Sequence, residues 1–318
     1  MKQLKETNVH LGDHAALDRI LKEQGYWYFR DVLDHEVLLD LQKKFRAILT
    51  KWDVSDPDLP EPMWNGNSLE GIASGLAQSN SKVPELREER VWQDFVAHPK
   101  IAGFIESLIG GPLEWLEVAD FYRLVPPTIE VPEDPYIGRH QDGVGLIGLD
   151  CVICWIPLHS IDEKVGGVAL AVDTYSGELF PDRFFDPDLV TPDVWARTDY
   201  RLGDILMMDP SMLHAGLPNL SDKFRLSLDL RVLRPSSPRP IEGTVLAIDK
   251  QEVTIKDQKG ETVTYRIDEH SHLRGIAPKS DVAILISADE LTDYIPAGSE
   301  IWATSQADRI AILRPNGH

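Results

Sequence analysis

The sequence predicts a mainly β protein, in which helices come first, a barrel or sandwich of short strands follows, and a small separate β-barrel ends the chain. Hydrophobic residues recur with helical spacing up to about residue 115. From about 116 to 234 their period changes to two, and the strand-like runs are separated by Gly, Pro and Asp. Short strands broken in this way are typical of a barrel or sandwich rather than of a parallel α/β sheet. The stiff, polar segment Pro235–Pro240 then separates a second alternating region, 241–318.

The composition fits an ordinary globular protein and limits the partners that we expect. With 318 residues the chain can form one large domain, or one domain and a small appendage. The formal net charge of −20 makes a surface that repels phosphate backbones and anionic lipids, so we expect neither nucleic-acid nor membrane partners. The N-terminus has no apolar leader and no run approaches membrane-spanning length, which predicts a cytoplasmic protein.

The first part, about residues 10–115, is predicted to be helical and to contain one short strand, Tyr26–Phe29. Asp34 is a suitable N-cap for the helix that follows this strand. Helical spacing returns over Val91–Leu108. The polar stretch 53–82, rich in Pro, Gly, Asn and Ser, is predicted to be a loop.

The second part, about residues 116–234, is predicted to hold the barrel. Helices before strands favour packing of the helices on one outer face of this barrel. The predicted strands are Trp115–Val125, Val144–Leu158, Gly167–Asp173, Ile205–Met208 and Phe224–Leu233.

The last part, 241–318, is predicted to be a small accessory β-barrel domain, separate from a domain formed by 1–234. Between two of its strands, Asp257–Gly260 has the composition of a hairpin turn. We expect this domain to pack against the larger barrel or against a second subunit, and to contribute no catalytic group. Its predicted strands are 244–248, 253–256, 262–267, 282–286 and 309–313.

The two cysteines, Cys151 and Cys154, have the C-x-x-C spacing of a redox motif or half a zinc site. They lie on a predicted buried strand, where residues three apart point to opposite faces. No second pair of cysteines completes a metal site. We therefore predict two buried core thiols, in a chain that fits a reducing compartment.

His140, Asp142 and His214 are the candidate metal ligands. In an extended backbone, residues two apart project to the same side, so the His140 imidazole and the Asp142 carboxylate can reach one ion. Such a pair is also expected by chance, and His214 sharpens the signal. Two histidines and one carboxylate form the facial triad that leaves three positions open on iron(II), as non-haem oxygenases need.

The strand that contains Arg225 alternates strictly. Phe224, Leu226, Leu228 and Leu230 share one face, whereas the residues between them are polar. A row of polar groups on a central strand is costly unless that face lines a cavity with ligands. Because a guanidinium binds a carboxylate through two parallel hydrogen bonds, Arg225 suits the distal carboxylate of a dicarboxylate co-substrate.

Together these residues and their neighbours resemble the phytanoyl-CoA dioxygenase-like group of 2-oxoglutarate oxygenases. The resemblance spans about residues 10–234, in order and with the family's spacing. It implies a double-stranded β-helix, that is, a jelly-roll barrel flanked by N-terminal helices. The matching elements are Gly25–Phe29 with the helix after it, His140-Gln-Asp142, Trp155–Leu158 leading into Gly166-Gly167, Gly203-Asp204, His214 with Gly216, Asn219 and Arg225.

The resemblance also implies a function. Iron(II) is held by the His140, Asp142 and His214 triad, and 2-oxoglutarate and O₂ are co-substrates, with the distal carboxylate of 2-oxoglutarate on Arg225. Succinate and CO₂ are formed while a small or medium-sized organic substrate is hydroxylated. An acidic ligand at 142 argues against halogenating relatives, in which the resemblance implies a small residue there. Loops around 53–82, 126–139 and 174–200 are expected to build the substrate pocket.

The chain departs from the family's pattern near the co-substrate. Gly138 stands where the family often has a polar residue, and 172–177 replaces the family's usual Pro-Gly-Ser-His ending. The remaining candidates for contact with 2-oxoglutarate are Ser227, Arg123 and Tyr122, each of which can equally have a structural role. Trp155 is a candidate for substrate contact, although a position in the core fits it as well.

Two other functions remain open from the sequence. One is a metal-dependent hydrolase or isomerase on a similar jelly roll, which uses zinc and water. Arg225 counts against it, because that chemistry needs no buried receptor for a dicarboxylate. The other is a non-catalytic small-molecule-binding relative, against which the intact triad argues.

Overall fold

In the computed structural model, helices come first in the chain and strands follow, as the sequence predicts. The structure describes residues 1–59, 61–68, 91–116, 121–128, 131–146, 149–180, 191–237, 241–248, 252–257, 259–266, 271–276, 283–286 and 300–305. Within these ranges no helix has both the length and the apolar character needed to cross a membrane. The α-helices are α1 (His14–Gln24), α2 (His35–Lys51), α3 (Val91–Val96) and α4 (Pro99–Ile109).

The first eleven strands form two sheets. The smaller sheet has the order β1-β8-β7-β10-β5, and the larger has the order β2-β9-β6-β11-β3, with β4 also paired to β11. From β4 onward the chain crosses repeatedly between the sheets, which is typical of a jelly roll. The strands are β1 (Lys2–Gln3), β2 (Tyr26–Phe29), β3 (Glu114–Trp115), β4 (Phe121–Val125), β5 (Ile137–His140), β6 (Cys151–Pro157), β7 (Gly167–Ala171), β8 (Trp195–Arg197), β9 (Ile205–Met208), β10 (His214–Leu217) and β11 (Arg225–Leu233).

The larger sheet is buried on both faces. One face packs against the helices through a cluster that includes Trp27, Phe45 and Leu228. The other face packs against the smaller sheet through a second cluster, which includes Tyr28 and Leu170. The prediction that the helices cover one outer face of the β core is therefore confirmed.

Strand β11 alternates as predicted and lies at the centre of this arrangement. All nine of its residues are buried. Its leucines at 226, 228 and 230 belong to the helix-side cluster. Since alternate side chains point to opposite faces of a sheet, the polar residues project between the two sheets. These inward-facing residues are Arg225, Ser227, Asp229 and Arg231.

The N-terminal helices differ from the prediction at one point. Asp34 caps α2 as predicted, because its carboxylate accepts a hydrogen bond from the amide of Val37 at 3.1 Å. The predicted single helix over Val91–Leu108 is instead two helices, α3 and α4. The break precedes Pro99, which has no amide hydrogen and disfavours helical geometry at His98.

Several predicted strand boundaries and loops were wrong. The strand predicted over Val144–Leu158 begins only at Cys151, because Asp142–Gly145 forms a 3-10 turn. The predicted loops at 126–139 and 174–200 include most of β5 and all of β8, respectively. Both strands are shorter than five residues, which is too short for alternation to be recognised. Much of the predicted loop over 53–82 lies outside the described residues.

The two cysteines occupy opposite faces of β6, as predicted. Cys151 lies in the cluster between the sheets and Cys154 in the helix-side cluster. Both thiols are free and buried, and burial raises the pKa of each. They are core residues in the structure.

The strands beyond residue 240 form a third sheet, in which all the described pairings are antiparallel. The hairpin predicted at Asp257–Gly260 joins two neighbouring strands, while the strand predicted over 309–313 lies outside the described residues. Closure of this sheet into a barrel stays a prediction. Its strands are β12 (Ile241–Ile248), β13 (Glu252–Asp257), β14 (Thr262–Arg266), β15 (Ser271–Ile276), β16 (Ala283–Ile286) and β17 (Glu300–Ser305).

Candidate metal centre

The three predicted metal ligands come together at neighbouring strand ends. His140 ends β5, His214 begins β10, and the two residues are directly opposite each other across the strands. Their ring centroids are 4.2 Å apart. Asp142 follows at the start of the 3-10 turn, and one ligand atom from each residue lies within 4.8 Å of the others. Two imidazoles and one carboxylate in this arrangement can hold one iron(II) ion and leave coordination positions open.

A local irregularity of β5 aims His140 at this cluster. Between the pairs His140–His214 and Ile137–Gly216, three steps along β5 match two steps along β10, so the register shifts. Gly138 lies inside the shift with φ +62°, a left-handed conformation that strains any residue with a side chain. This conformation explains the glycine at a position where the resemblance leads one to expect a polar residue.

Both histidines are oriented in the same way. The Nδ1 atom of His140 is 2.6 Å from the carbonyl oxygen of Gly138, and that of His214 is 3.0 Å from the carbonyl oxygen of Met212. A carbonyl oxygen only accepts, so each Nδ1 carries the proton and each Nε2 is left to bind a metal. Hydrogen bonds of this kind fix the tautomer and the ring plane of metal-binding histidines.

The chain around His140 and Asp142 is hydrogen-bonded to the turn that precedes His214. Gln141 is buried, and its side-chain nitrogen Nε2 donates to the backbone carbonyl oxygens of Ser211 at 2.5 Å and Glu178 at 3.1 Å. The backbone N–H of Gly143 donates to the carbonyl oxygen of Pro210 at 2.8 Å. A side chain at 143 would come within 3.1 Å of that same oxygen. The relative position of Asp142 and His214 is therefore set by hydrogen bonds from the Gln141 side chain and the Gly143 backbone.

The protonation states of the ligands follow from their surroundings. Burial, followed by the nearby charge of His140, lowers the pKa of His214 to about 4, so this imidazole is neutral near pH 7. Burial alone would lower the pKa of His140, but the carboxylate of Asp142, 3.2 Å away, raises it. Burial would raise the pKa of Asp142, yet the guanidinium of Arg231 holds it well below its usual range. The carboxylate is thus ionised, as a metal ligand must be.

Arg225 is buried in the same interior, and none of the described carboxylates pairs with it. Its Nη1 atom donates to the carbonyl oxygens of Gly167 at 3.1 Å and Leu217 at 3.0 Å, while its Nε atom has no partner. Burial, followed by the charge of Arg123, lowers the pKa of this guanidinium to about 10, so it is still charged at pH 7. An unpaired buried charge is costly, which indicates a place for an anion.

Two glycines provide the carbonyl environment of Arg225. Gly166 has φ +90°, and a Cβ atom there would come within 2.7 Å of the Pro218 carbonyl oxygen and 2.8 Å of the Leu217 carbonyl oxygen. Only glycine therefore lets β7 approach β10 this closely. The approach brings together the two carbonyl groups, of Gly167 and Leu217, that hold the guanidinium.

The other predicted co-substrate contacts divide between the two faces of the sheet. Ser227 is fully buried on the inner face, and its hydroxyl has no hydrogen-bond partner among the described residues. Arg123 lies opposite Ser227 and forms an ion pair with Asp229 at 3.1 Å. Tyr122, for which a structural role was equally open, packs its ring against Phe45 and other helix-side residues. Tyr122 therefore drops out of the candidate site.

Trp155, the predicted substrate contact, lies in the cluster between the sheets and is 3% exposed. Its ring packs edge-on against Tyr200, with the centroids 4.7 Å apart. This is a core position on the inward face of β6.

Polar residues that sequence reasoning assigned no role are also part of the site. Arg231 donates to the Asp142 carboxylate at 2.6 Å, and Gln141 makes the side-chain hydrogen bonds described above. The alternating polar row of β11 was the signal for Arg231, but its partner is 89 positions away in sequence. In the sequence, Gln141 could be recognised only as the residue between the predicted ligands His140 and Asp142.

The donor set suits an iron(II) ion, and the unpartnered groups of Arg225 and Ser227 suit a polar anion. Over 250 residues the chain is 28% identical to the 1-deoxypentalenic acid 11-beta-hydroxylase of Streptomyces exfoliatus, covering 72% of this chain and 84% of that protein. The enzyme of the same name from Streptomyces arenae is 27% identical over the same shares. The chain is thus similar to two hydroxylases, and its cluster of His140, Asp142 and His214 has the donor set of an iron site.

A solved structure of the epimerase SnoN, in complex with Fe³⁺, alpha-ketoglutarate and nogalamycin RO, is also similar to this chain. The sequences are 17% identical, the TM-score is 0.45, and the match covers 71% of this chain and 86% of SnoN. No family model matches the chain. The narrower resemblance to the phytanoyl-CoA dioxygenase-like group stays a prediction.

Proposed function

We propose that this protein is an iron(II)- and 2-oxoglutarate-dependent oxygenase that hydroxylates an unactivated C–H bond of a small organic molecule. In this proposal His140, Asp142 and His214 hold iron(II), and Arg225 binds the distal carboxylate of 2-oxoglutarate. The observation that supports it most strongly is the buried guanidinium of Arg225, which pairs with none of the described carboxylates and lies in the same interior as the ligand cluster. A zinc hydrolase or isomerase has no use for such a group.

The spacing of the two sites along β10 supports a single co-substrate between them. His214 begins this strand, and the carbonyl of Leu217, which holds Arg225, ends it. At the rise of a β-strand, three residues span roughly 10 Å. A five-carbon dicarboxylate that chelates the metal with its 2-oxo acid end can direct its other carboxylate toward Arg225. Ser227 lies two residues further along the same inward face, and its hydroxyl is available to the same carboxylate.

Each of these site residues then has a defined role. The neutral His214 ring would offer its Nε2 atom, His140 would offer its own Nε2 once the metal displaces the proton there, and the ionised Asp142 would offer an oxygen. Arg225 fixes the orientation of 2-oxoglutarate by a charge-assisted hydrogen bond. When bound, the iron and its co-substrates supply the oxidation, in which 2-oxoglutarate and O₂ give succinate and CO₂ as the substrate gains a hydroxyl group. The protein contributes position and the exclusion of competing reactions.

The substrate proposal rests on charge and on the named relatives. A net charge of −20 disfavours polyphosphate and nucleic-acid substrates. The relatives are named for hydroxylation of 1-deoxypentalenic acid, a small organic acid. We therefore propose an organic acid or a natural-product intermediate of similar size.

The test is the release of succinate from 2-oxoglutarate by the anaerobically iron-loaded full chain, after O₂ and ascorbate are added. We expect slow succinate release without a prime substrate. A panel of organic acids, starting with 1-deoxypentalenic acid, should contain a compound that accelerates release and gains one oxygen atom per succinate formed. A chain that binds iron but releases no succinate under any of these conditions contradicts the proposal. Turnover of a hydrolysable substrate with zinc alone would instead favour the hydrolase alternative.

A second prediction concerns the extent of the catalytic unit, which we propose ends near residue 237. The backbone N–H of Asp150 donates to the Ser237 hydroxyl at 3.1 Å, and the N–H of Arg234 donates to the Asp150 carbonyl at 2.9 Å. These contacts with Asp150, the residue before β6, support a boundary after Ser237. A chain that ends at Ser237 should keep the iron and 2-oxoglutarate affinities of the full chain within a few fold, as measured by anaerobic titration.

The control for this truncation is a chain that ends at Leu233, which lacks these contacts and should unfold at a lower temperature. If the chain that ends at Ser237 is folded by circular dichroism but does not bind iron, the division into a complete catalytic domain and an accessory domain is wrong.

A further inference from the structure

A ladder of alternating charges crosses the interior between the two sheets and ends on the proposed metal ligand. Arg123 binds one oxygen of Asp229, through Nε at 3.2 Å and Nη2 at 3.1 Å. The other oxygen of Asp229 accepts from Nη1 of Arg231. Nη2 of Arg231 in turn donates to Oδ2 of Asp142 at 2.6 Å. Strand pairing places Arg123 on β4 and the middle two residues on β11.

The ladder leaves Arg231 little freedom. Its side chain is 4% exposed, and its two terminal nitrogens are each committed to a different carboxylate. Asp229 is itself held from the other side by Arg123. A guanidinium held in this way is planar and directional, so it fixes the orientation of the carboxylate that it binds.

The two oxygens of Asp142 are therefore not equivalent. Oδ2 is engaged by Arg231, whereas Oδ1 lies 3.2 Å from Nε2 of His140, on the side of the ligand cluster. A freely rotating carboxylate can bind a metal through both oxygens and occupy two coordination positions. The proposed reaction needs three open positions, two for 2-oxoglutarate and one for O₂.

We propose that Arg231 is a positioning residue that restricts Asp142 to a single metal-binding oxygen and so keeps a coordination position open for the co-substrate. This inference rests on the proposed function, because it assumes that Asp142 is a metal ligand. It assigns the polar row of β11 two tasks: Arg225 receives the co-substrate at one end, and Arg231 orients the ligand at the other.

The test compares metal affinity among variants of the full chain. Arg231→Gln removes the charge and the planar guanidinium that binds two carboxylates, and Arg231→Lys keeps the charge but loses that planar group. The matched control is Arg197→Gln, because Arg197 is as buried as Arg231 but pairs with Asp199 on the smaller sheet. The readouts are the dissociation constants of iron(II) and of the surrogate cobalt(II), determined by anaerobic titration, and the visible absorption of the cobalt protein, which reports its coordination.

We expect Arg231→Gln to bind both metals about 10- to 100-fold more weakly, the range found when an outer partner of a metal ligand is removed. Its cobalt spectrum should differ from that of the wild type, and added 2-oxoglutarate should change it less. Arg231→Lys should show the same spectral change with a smaller loss of affinity. Arg197→Gln should lower the unfolding temperature without altering metal affinity or the spectrum.

The outcomes separate this inference from the proposed function. A wild-type chain that binds neither metal contradicts the proposed function itself. A wild type that binds metal, with both Arg231 variants equal to it in affinity and spectrum, overturns only the positioning role. The same holds if the variants lose 2-oxoglutarate affinity alone, since Arg231 would then be a direct co-substrate contact. If Arg231→Gln does not fold, Arg231→Lys decides, because it retains the charge that Asp142 and Asp229 require.

Discussion

His214→Ala should abolish both iron binding and succinate formation while the protein stays folded. His214 is 8% exposed, and its uncharged ring is one of only three groups in the proposed ligand set. Removal of an outer partner of a metal ligand typically weakens binding about 10- to 100-fold, so loss of a direct ligand should weaken it further. Truncation of a buried imidazole also leaves a cavity, and we expect a lower unfolding temperature but a cooperative transition.

The measurement is the iron(II) content after anaerobic equilibrium dialysis, followed by succinate release on addition of O₂. His140→Ala and Asp142→Ala should behave in the same way. His35→Ala is the control, because His35 is an exposed histidine at the start of α2, outside the cluster, where it pairs with Asp31. Full succinate yield from His214→Ala would show that the metal is held elsewhere.

The sequence predicts the elements with regular spacing, and its failures have local physical causes. Alternation placed Arg225 and Ser227 on the inward face of β11 because that strand is long and its other face is wholly apolar. The sequence left both Tyr122 and Arg123 as candidates, and in the structure Tyr122 faces the helices. The neighbouring residue Arg123 takes the inward face instead.

For the candidate metal ligands His140, Asp142 and His214, local sequence suggests the residues but not their geometry. His140 and His214 face each other through two four-residue strands, whose pairing joins distant parts of the chain. The shift of register at Gly138 could not be predicted, because it depends on the partner strand. The Arg231–Asp142 ion pair could not be predicted either, because it joins residues that are far apart in the sequence. The extended backbone at Gln141, in contrast, agrees with the expected same-side geometry of His140 and Asp142.

Arg225→Met should raise the 2-oxoglutarate concentration needed for turnover much more than it changes the requirement for the prime substrate. The buried guanidinium is charged and lacks an acidic partner among the described residues, so in this proposal the co-substrate supplies that partner. Loss of one member of a buried charge pair costs about 2–5 kcal/mol. At 1.4 kcal/mol per tenfold change, this is on the order of a 30- to 4,000-fold weaker 2-oxoglutarate affinity. Arg225→Lys should lie between the variant and the wild type, because an ammonium keeps the charge but not the paired hydrogen bonds.

A change of co-substrate separates loss of this contact from general damage to the site. 2-Oxopentanoate has the same 2-oxo acid end and chain length as 2-oxoglutarate but no distal carboxylate. The wild type should bind 2-oxoglutarate far more tightly than 2-oxopentanoate, and Arg225→Met should bind the two with nearly equal affinity. Arg197→Met, the loss of a buried arginine on the smaller sheet, should keep the wild-type preference. If Arg225→Met still prefers 2-oxoglutarate as strongly as the wild type does, the distal carboxylate is bound by another group. If instead the variant loses affinity for both compounds equally, Arg225 supports the site as a whole and does not recognise the carboxylate.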